Sequence, residues 1–281
     1  MQNSEFKQEF WLSDIFAEDG EKAFPAYPCS NCETGILRLE PDGLCHWVDA
    51  DTKRYLEVLY DEMRVYHFKA KLKCTACDEI HHVLGYGEID FVFDPDGEEY
   101  FDEDVGHQMQ TRKVMRLIPN NFFPAPPLLR LRPEHKDEEF AKALRQSFQL
   151  FWIDPASCAN KIRTAMEYLL DCPPFEIETK DKNGDELDFN NRLQKLNASH
   201  ADYFGQFNAL RWLGNSGTHE LSVKRSDVLK AYGVIDSIFH QLFVLPEFIE
   251  NSKRKAELAK SDSDFLVNKH KPERKQKSSG K

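Results

Sequence analysis

The chain has 281 residues, enough for two domains, and its 41% hydrophobic and 30% charged residues are typical of a soluble globular protein. A formal net charge of −11 argues against long-range attraction of nucleic acid, so any such contact would need a local basic cleft or the basic C-terminal tail. No apolar run approaches about 18 residues, and the first residues lack a basic segment followed by an apolar one. We therefore expect no membrane span, no secretory signal and a cytoplasmic location.

The first half of the chain has the alternation of apolar and polar residues that predicts β structure. Pro41-Asp42-Gly43 predicts a turn, and so does the segment 94–97. Gly85 and Gly87 predict a bulge inside a long strand. A short helix is expected at residues 5–15, followed by strands at residues 35–40, 44–49, 55–60, 64–73, 80–94 and 113–118.

A proline-dense stretch separates this half from the next. The stretch from Pro119 to Pro133 contains five prolines, which predicts an extended linker or a strap across a surface. The hydrophobic period then changes to that of helices, and Asp154-Pro155 has the pattern of an N-cap followed by proline. Helices are expected at residues 136–152, from 155 to Pro173, and at 185–197, 201–213 and 226–245.

These patterns predict an α+β protein in four parts. We expect a β domain with an acidic insert at residues 1–118, a linker at 119–135, an all-α bundle at 136–250 and a basic disordered tail at 251–281. The β domain is zinc-ribbon-like because it contains the two CxxC pairs Cys29/Cys32 and Cys74/Cys77.

Four of the seven cysteines form two CxxC pairs, Cys29/Cys32 and Cys74/Cys77. Two thiolates three positions apart can grip one cation from a tight turn, and two such turns complete a four-thiolate site that Zn²⁺ favours. A site closed by four protein ligands predicts a structural ion, and loss of one ligand should unfold mainly residues 29–94 while the helical part melts nearly unchanged. The alternatives are four buried free thiols or a redox pair. Further candidate ligands are Cys45, His46, His81 and His82.

A second group of polar residues is expected on one helix. Arg211, Asn215 and His219 are spaced i, i+4 and i+8, which places them on one stripe suited to phosphate binding and proton transfer. Arg163 and Glu167 form an i, i+4 pair on another helix and could face this stripe. The alternative is structural: Asn215 and His219 hold a helix end by hydrogen bonds, and Arg163 and Glu167 form a surface ion pair.

Two segments of the helical half carry a family resemblance. The motif RTAMEYLL at residues 163–170 and the segment LRWLGNSGTH at residues 210–219 resemble the prokaryotic domain of unknown function 4145, over about residues 140–244. Members of that family often carry an N-terminal CxxC zinc-binding segment and occur in bacterial restriction and anti-phage contexts.

The helical half is also similar, more distantly, to HEPN helical bundles. Many of these are metal-independent ribonucleases that dimerise, with an Arg and a His separated by four to six residues. The resemblance implies a homodimer and a catalytic pair, Arg211 and His219, although seven residues separate the two here.

Two functions of different classes follow. The first is a defence-associated, metal-independent endoribonuclease, with His219 as acid or base, Arg211 on the phosphate and Asn215 orienting them. The second is a non-catalytic adaptor or sensor that binds a protein or nucleic acid in an anti-phage or restriction system. A third idea is that the acidic segment 88–104, with nine carboxylates and no Lys or Arg, mimics nucleic acid; an acidic solvated loop is its alternative.

Overall fold

The structure is a computed structural model that describes residues 8–32, 34–94, 99–102, 106–132, 135, 138–216 and 223–270. It is an α+β protein with an antiparallel sheet followed by helices, as the sequence predicts. The chain forms two compact units, Met1–Val234 and Ile235–Lys281, and the linker predicted at residues 119–135 lies inside the first.

Four long strands form the sheet in the order β1-β2-β3-β6, and all neighbours are antiparallel. Two shorter strands, β4 and β5, pair with each other between β3 and β6 in the chain. Two short α-helices precede β2 in the described part of the chain. The bounds are α1 Gln8–Trp11, β1 Leu37–Val48, α2 Ala50–Arg54, β2 Val65–Cys74, β3 Ile80–Phe93, β4 Glu99–Asp102, β5 Gly106–Met109 and β6 Thr111–Phe123.

One face of the sheet is buried. Side chains alternate between the two faces of a strand, and on the inner face Phe68, Leu72 and Phe122 are at most 1% exposed. The segment before β1 covers this face: the ring centroid of Phe24 lies 6.4 Å from that of Phe68, and Tyr27 lies 5.4 Å from Phe122. The alternation of apolar and polar residues along β2 and β3 therefore reflects one buried face of the sheet, as the sequence predicts.

The turn predicted at Pro41-Asp42-Gly43 is wrong. These residues form an irregularity inside β1, where the register with β2 shifts between Leu39 and Leu44. Asp42 has a φ of 58°, and a Cβ on Gly43 would lie 2.8 Å from the Glu40 carbonyl oxygen. The chain therefore bulges and stays paired instead of reversing. The bulge predicted on β3 is confirmed by the register shift between Leu84 and Gly85.

The strand predicted at residues 55–60 is also wrong, because local hydrogen bonds turn the backbone there. Asp49 caps α2 by accepting from the Thr52 N–H at 2.6 Å, and the N–H groups of Val58 and Leu59 both donate to the Tyr55 carbonyl. The helix predicted at residues 5–15 is described only as the short α1, and the turn predicted at 94–97 falls mostly outside the described residues.

The proline-rich stretch packs within the first unit. β6 continues five residues past Ile118. Four apolar residues that follow it are buried: Ala125, Leu128, Leu129 and Leu131. The side-chain amide of Gln149, in the helix that follows, donates to the Phe122 carbonyl and accepts from the Ala125 N–H. This segment is a strap across a surface, one of the two forms that its composition predicts.

The second half of the chain is helical, with bounds α3 Glu139–Ile153, α4 Pro155–Leu169, α5 Phe189–Ser199, α6 Ala201–Ser216, α7 Arg225–Phe239 and α8 Leu245–His270. The predicted cap of α4 is confirmed, since Asp154 accepts from the N–H groups of Ala156 and Ser157. In the first unit α4 packs against α3 and α6, and Tyr232 of α7 hydrogen-bonds Ser147 of α3 at 2.7 Å.

The tail predicted to be disordered from residue 251 is helical through His270, and residues 271–281 lie outside the described part. A π-helical turn at His240–Val244 joins α7 to α8, and Pro246, the second residue of α8, follows this irregular turn. The Lys, Glu and Ala residues beyond it are strong helix formers.

The helical stretch Arg225–Ser261 contains an 18-residue window of mean hydropathy 1.3. By length and composition alone it could cross a membrane, which is weak evidence because core helices of soluble proteins pass the same test.

Candidate functional site

The four cysteines of the two CxxC pairs come together at one end of the sheet. Cys29 and Cys32 lie in the turn before β1, Cys74 is the last residue of β2, and Cys77 lies in the turn to β3. The Sγ atoms of Cys29 and Cys77 are 3.7 Å apart, those of Cys32 and Cys74 are 3.6 Å apart, and all four lie within 4.8 Å of one another.

These distances fit a tetrahedral metal centre. Four thiolates about 2.3 Å from one Zn²⁺ would be separated by about 3.8 Å along each edge of the tetrahedron. A disulfide needs a sulfur separation of about 2.0 Å, and all four cysteines are free. Cys29 and Cys74 are buried and the other two are half-buried, so the chemistry and shape of the cluster are compatible with a bound metal ion.

Backbone N–H groups point at the thiols. Asn31 N donates to Cys29 Sγ at 3.4 Å, Gly35 N to Cys32 Sγ at 3.3 Å and Ala76 N to Cys74 Sγ at 3.3 Å. Such hydrogen bonds stabilise the thiolate form, which is the form that binds metal. They also fix the two turns, because each N–H belongs to the same turn as its acceptor.

The thiols differ in their intrinsic acidity. Burial raises the pKa of Cys29 to about 12, whereas hydrogen bonds from Thr34 and Gly35 lower the pKa of Cys32 to about 6. A buried thiol with a raised pKa stays protonated unless a cation compensates its charge. A metal ion supplies that charge, so occupancy of the site and ionisation of Cys29 are coupled.

Of the further ligand candidates, His81 lies closest to the cluster. It is fully buried, its Nδ1 lies 2.7 Å from the Pro124 carbonyl oxygen, and its Nε2 lies 3.3 Å from Ser30 Oγ and 3.9 Å from Cys29 Sγ. Because the Pro124 carbonyl oxygen can only accept a hydrogen bond, Nδ1 carries the proton. His81 therefore bridges the Pro124 carbonyl and the turn that contains Cys29. Cys45 is exposed and does not belong to the cluster.

The polar stripe on α6 is described only in part. Arg211 Nε donates to Asn208 Oδ1 at 3.2 Å, and its guanidinium lies 4.8 Å from the Trp212 ring centroid. Asn215 lies on the same helix, whereas His219 falls outside the described residues. The catalytic geometry expected of these three residues therefore stays a prediction.

Arg163 and Glu167 form the expected ion pair on α4, with Arg163 Nη2 and Glu167 Oε1 2.8 Å apart. A Cβ on Gly214 of α6 would lie 2.5 Å from Arg163 Cβ, so only glycine permits this close approach of the two helices. Burial raises the pKa of Glu167, and the positive charges of Arg163 and Arg192 oppose that shift.

Sequence reasoning missed Arg192, which is 6% exposed. It donates to the Glu167 carbonyl at 3.0 Å, to Asp171 Oδ1 at 2.5 Å and to the Ile177 carbonyl at 2.9 Å. It thereby ties α5 to the end of α4 and to the loop that follows. The sequence signal for its burial is that Arg192 occupies a helical position where the periodicity favours an apolar residue.

The outer face of the sheet exposes an unusual set of side chains, which we name the open face. It consists of three cross-strand rows: Trp47, His67 and Tyr86; Cys45, Lys69 and Leu84; and Lys71, His82 and Phe123. Directly paired residues and every second residue of a strand share one face. The exposed fractions of the three aromatic side chains are 48% for Trp47, 38% for Tyr86 and 69% for Phe123.

The open face is locally basic although the chain is acidic. None of its nine residues carries a carboxylate. Lys69 forms no ion pair with any described residue, while Lys71 pairs with Glu40 at 2.6 Å. The acidic Glu88 and Asp90 farther along β3 are held by Arg116.

Two family models match parts of the chain. Residues 145–260 match a domain of unknown function, DUF4145, and residues 17–111 match another, DUF8608. The first match confirms the resemblance of the helical half to that family, and the second covers the cysteine cluster and three strands of the sheet. No curated protein and no solved structure matches the chain.

Proposed function

We propose that this protein is a non-catalytic sensor or adaptor of a bacterial defence system that binds single-stranded RNA on its open face. The observation that carries the proposal is the placement of Trp47, Tyr86 and Phe123 on different strands of one exposed, carboxylate-free surface. The defence setting rests on the resemblance to the domain of unknown function 4145, and the cytoplasm is the compartment that suits free thiols.

The chemistry of the open face suits unpaired bases. Every base has a π-face, and stacking on an aromatic side chain contributes about 1–3 kcal/mol per base without demanding a sequence. Neighbouring strands lie about 4.8 Å apart, so Trp47 and Tyr86, two strands apart, are about 10 Å from each other. Lys69, on the strand between them and in the next cross-strand row, can contact a phosphate and supplies the local basic surface that an acidic protein needs to hold RNA.

In this proposal the metal is Zn²⁺ and its role is structural. Cys29, Cys32, Cys74 and Cys77 would hold it, and four thiolates leave no position open for a substrate or a water. The ion would fix the ends of β1, β2 and β3, which are the strands that carry most of the open face. The Zn²⁺ centre therefore shapes the RNA surface without touching RNA.

The alternative function is an endoribonuclease with an HEPN-like bundle. The packing of α6 against Arg163 at Gly214 favours it, because this brings a charged pair of α4 beside the helix that carries Arg211 and Asn215. Arg211 is directed at Asn208 and Trp212 of its own helix, which favours a supporting role for it. The two functions share RNA as a ligand and differ in whether RNA is cut.

One binding experiment tests the proposal. A fluorescein-labelled U12 RNA is titrated with the full chain and binding is followed by anisotropy. We expect Trp47→Ala and Tyr86→Ala each to weaken binding at least about fivefold, the effect of losing one stacked base. Lys69→Glu should weaken it further and reduce its salt dependence. The matched control is Trp212→Ala, since Trp212 is 59% exposed on α6, away from the sheet.

Two outcomes would contradict RNA recognition by the open face: no binding at about 100 μM protein, or equal loss in Trp212→Ala and Trp47→Ala. The same samples report on the alternative. Cleavage of the RNA by the unaltered chain but not by a His219→Ala variant would make the protein a ribonuclease. Sedimentation velocity on these samples tests the expected homodimer.

A further inference from the structure

A cavity of about 180 Å³ lies where the segment after α1, β6, α3 and the start of α7 meet. Three aromatic side chains line it, Trp11, Tyr27 and Trp152, and each is at most 8% exposed. Its charged lining residues are Arg225, Arg116 and Asp14. The site is thus an apolar pocket with a few polar groups, the usual composition of a small-molecule site.

Arg225 is a half-buried cation that no described carboxylate neutralises. Its Nη2 donates to the carbonyl oxygens of Pro119 at 2.9 Å and Trp152 at 2.7 Å, and the guanidinium lies 5.6 Å from the Trp152 ring centroid. These contacts fix the head group but use only one of its three nitrogens. Nε and Nη1 bond no described residue, and each has an N–H that can donate to an anionic ligand.

Other polar groups on the wall are donors as well. The indole Nε1 of Trp152 is buried and has no hydrogen-bond partner among the described residues. Burial raises the pKa of Tyr27 above its usual range, so its phenol keeps its proton. Asp14, the one carboxylate on the wall, lies 3.8 Å from Arg116, which also binds Glu88 and Asp90. A donor-rich pocket of this kind is complementary to an acceptor-rich, anionic ligand.

We propose that this cavity binds a small aromatic carboxylate, with the carboxylate on Arg225 and the ring against the wall formed by Trp11, Tyr27 and Trp152. An unpaired buried cation is costly, and a bound anion removes that cost. A cavity of about 150 Å³ accommodates a benzene ring, so this one holds a single-ring acid. Because the pocket joins the N-terminal segment, β6, α3 and α7, occupancy would stabilise the whole first unit.

Benzoate is the probe that tests this site. We expect calorimetry to give one site per chain with a dissociation constant on the order of 0.1–1 mM, which is typical of so small a ligand. Benzylamine and benzyl alcohol, which match its ring but not its charge, should bind at least about tenfold more weakly. Inorganic phosphate, which has the charge but no ring, should not compete. Binding should also shift the indole N–H resonance of Trp152, assigned with a Trp152→Phe variant.

Two variants locate the site. Arg225→Gln should weaken benzoate binding at least about tenfold, whereas Arg130→Gln, which removes the same charge from an exposed position, should not. Since Arg225 also supports two carbonyls, Leu12→Trp provides a second variant: Leu12 lines the cavity and is 49% exposed, so the larger ring blocks the pocket without disturbing Arg225. Three results would overturn the proposal. Leu12→Trp could bind benzoate as tightly as the unaltered chain, or benzylamine could bind as tightly as benzoate. The third result is that the unaltered chain binds no benzoate at about 10 mM, tenfold above the weakest dissociation constant expected.

Discussion

Gly35 shows how tightly the cysteine cluster constrains its surroundings. A Cβ at this position would lie 2.4 Å from Cys74 Sγ and 2.8 Å from Ala76 Cβ. The same residue donates its N–H to Cys32 Sγ. The backbone of one CxxC turn thus passes directly against a thiol of the other turn, and only glycine leaves that thiol in place for a metal ion.

We therefore predict that Gly35→Ala lowers metal affinity about 10- to 100-fold, as loss of groups that orient ligands usually does. The added methyl should also destabilise the fold by roughly 1–3 kcal/mol, because the neighbours cannot move without displacing Cys74. Affinity is measured by competition with a chromophoric chelator, and stability by urea unfolding.

Gly205→Ala is the matched control. Gly205 lies in α6, is exposed, and has nothing within 4 Å of an added Cβ, so alanine there should stabilise the helix by about 0.5–1 kcal/mol. Equal metal affinity in the two variants would show that the close contact at Gly35 has no effect on the centre.

The four cysteines could be predicted from sequence because their spacing is local. Each CxxC pair is complete within four residues, and two pairs suffice to define a site. Arg192 and Arg225 could not be predicted in this way. Their partners lie far away along the chain, 25 residues for the Glu167 carbonyl and 106 residues for the Pro119 carbonyl. Burial of a charge depends on tertiary packing, to which residue spacing gives no access.

Helix α4 illustrates an element whose start the sequence specifies fully. Asp154 accepts hydrogen bonds from the N–H groups of Ala156 and Ser157, and Pro155 occupies the first helical position. Helix α3 begins at Glu139, and the side chain of its N-cap residue, Glu138, makes no capping hydrogen bond. Hydrogen bonds from the Ser157 hydroxyl and backbone lower the pKa of Asp154, so its carboxylate caps α4 over the physiological pH range.

We predict that Asp154→Ala destabilises the protein by about 1 kcal/mol at pH 7, while Glu138→Ala has little effect. A carboxylate whose pKa is lower in the folded state contributes stability above its unfolded pKa, and that contribution is lost as the pH falls through the folded pKa. The difference between the unaltered chain and Asp154→Ala should therefore shrink below about pH 4. Urea unfolding at pH 7, 5 and 3 measures it, and a difference that grows toward pH 3 would contradict a charged cap.

Strand register was less accessible than helix capping. The sequence predicts a strand on either side of Pro41-Asp42-Gly43, and the structure joins both into β1 through a bulge. A proline, an aspartate and a glycine suit a reversal and a bulge equally well. Which of the two forms depends on β2, whose Leu72 and Ala70 pair on either side of the bulge.

At the scale of the molecule, the β part and the helices of the first unit share a core of aromatic side chains. Trp152 of α3 lies with its ring centroid 4.3 Å from Phe122 of β6 and 5.8 Å from Tyr27. Tyr27 is two residues before Cys29 of the cysteine cluster, and its ring stacks on Trp11 at 5.3 Å. The sequence predicts that the two parts melt separately. The aromatic core instead couples the cysteine cluster to α3.

We accordingly predict that Cys74→Ser disturbs the helices as well as the sheet. The protein purified without chelators should contain one Zn²⁺ per chain, and this variant should contain almost none, since three thiols remain. We expect the helical transition, followed by circular dichroism at 222 nm, to fall by about 5 °C or more. At 2–4 °C per kcal/mol for a unit of this size, that corresponds to roughly 2 kcal/mol transmitted through Tyr27 and Trp152.

Cys45→Ser is the control for this experiment, because Cys45 is exposed on the sheet and outside the cluster. It should retain its zinc and its melting temperature. Loss of zinc without any change in the helical transition would mean that the β part folds as an independent metal-dependent domain, as its cysteine spacing alone suggests. A joint loss would instead make the metal ion a determinant of the entire first unit, with the aromatic core as the physical link.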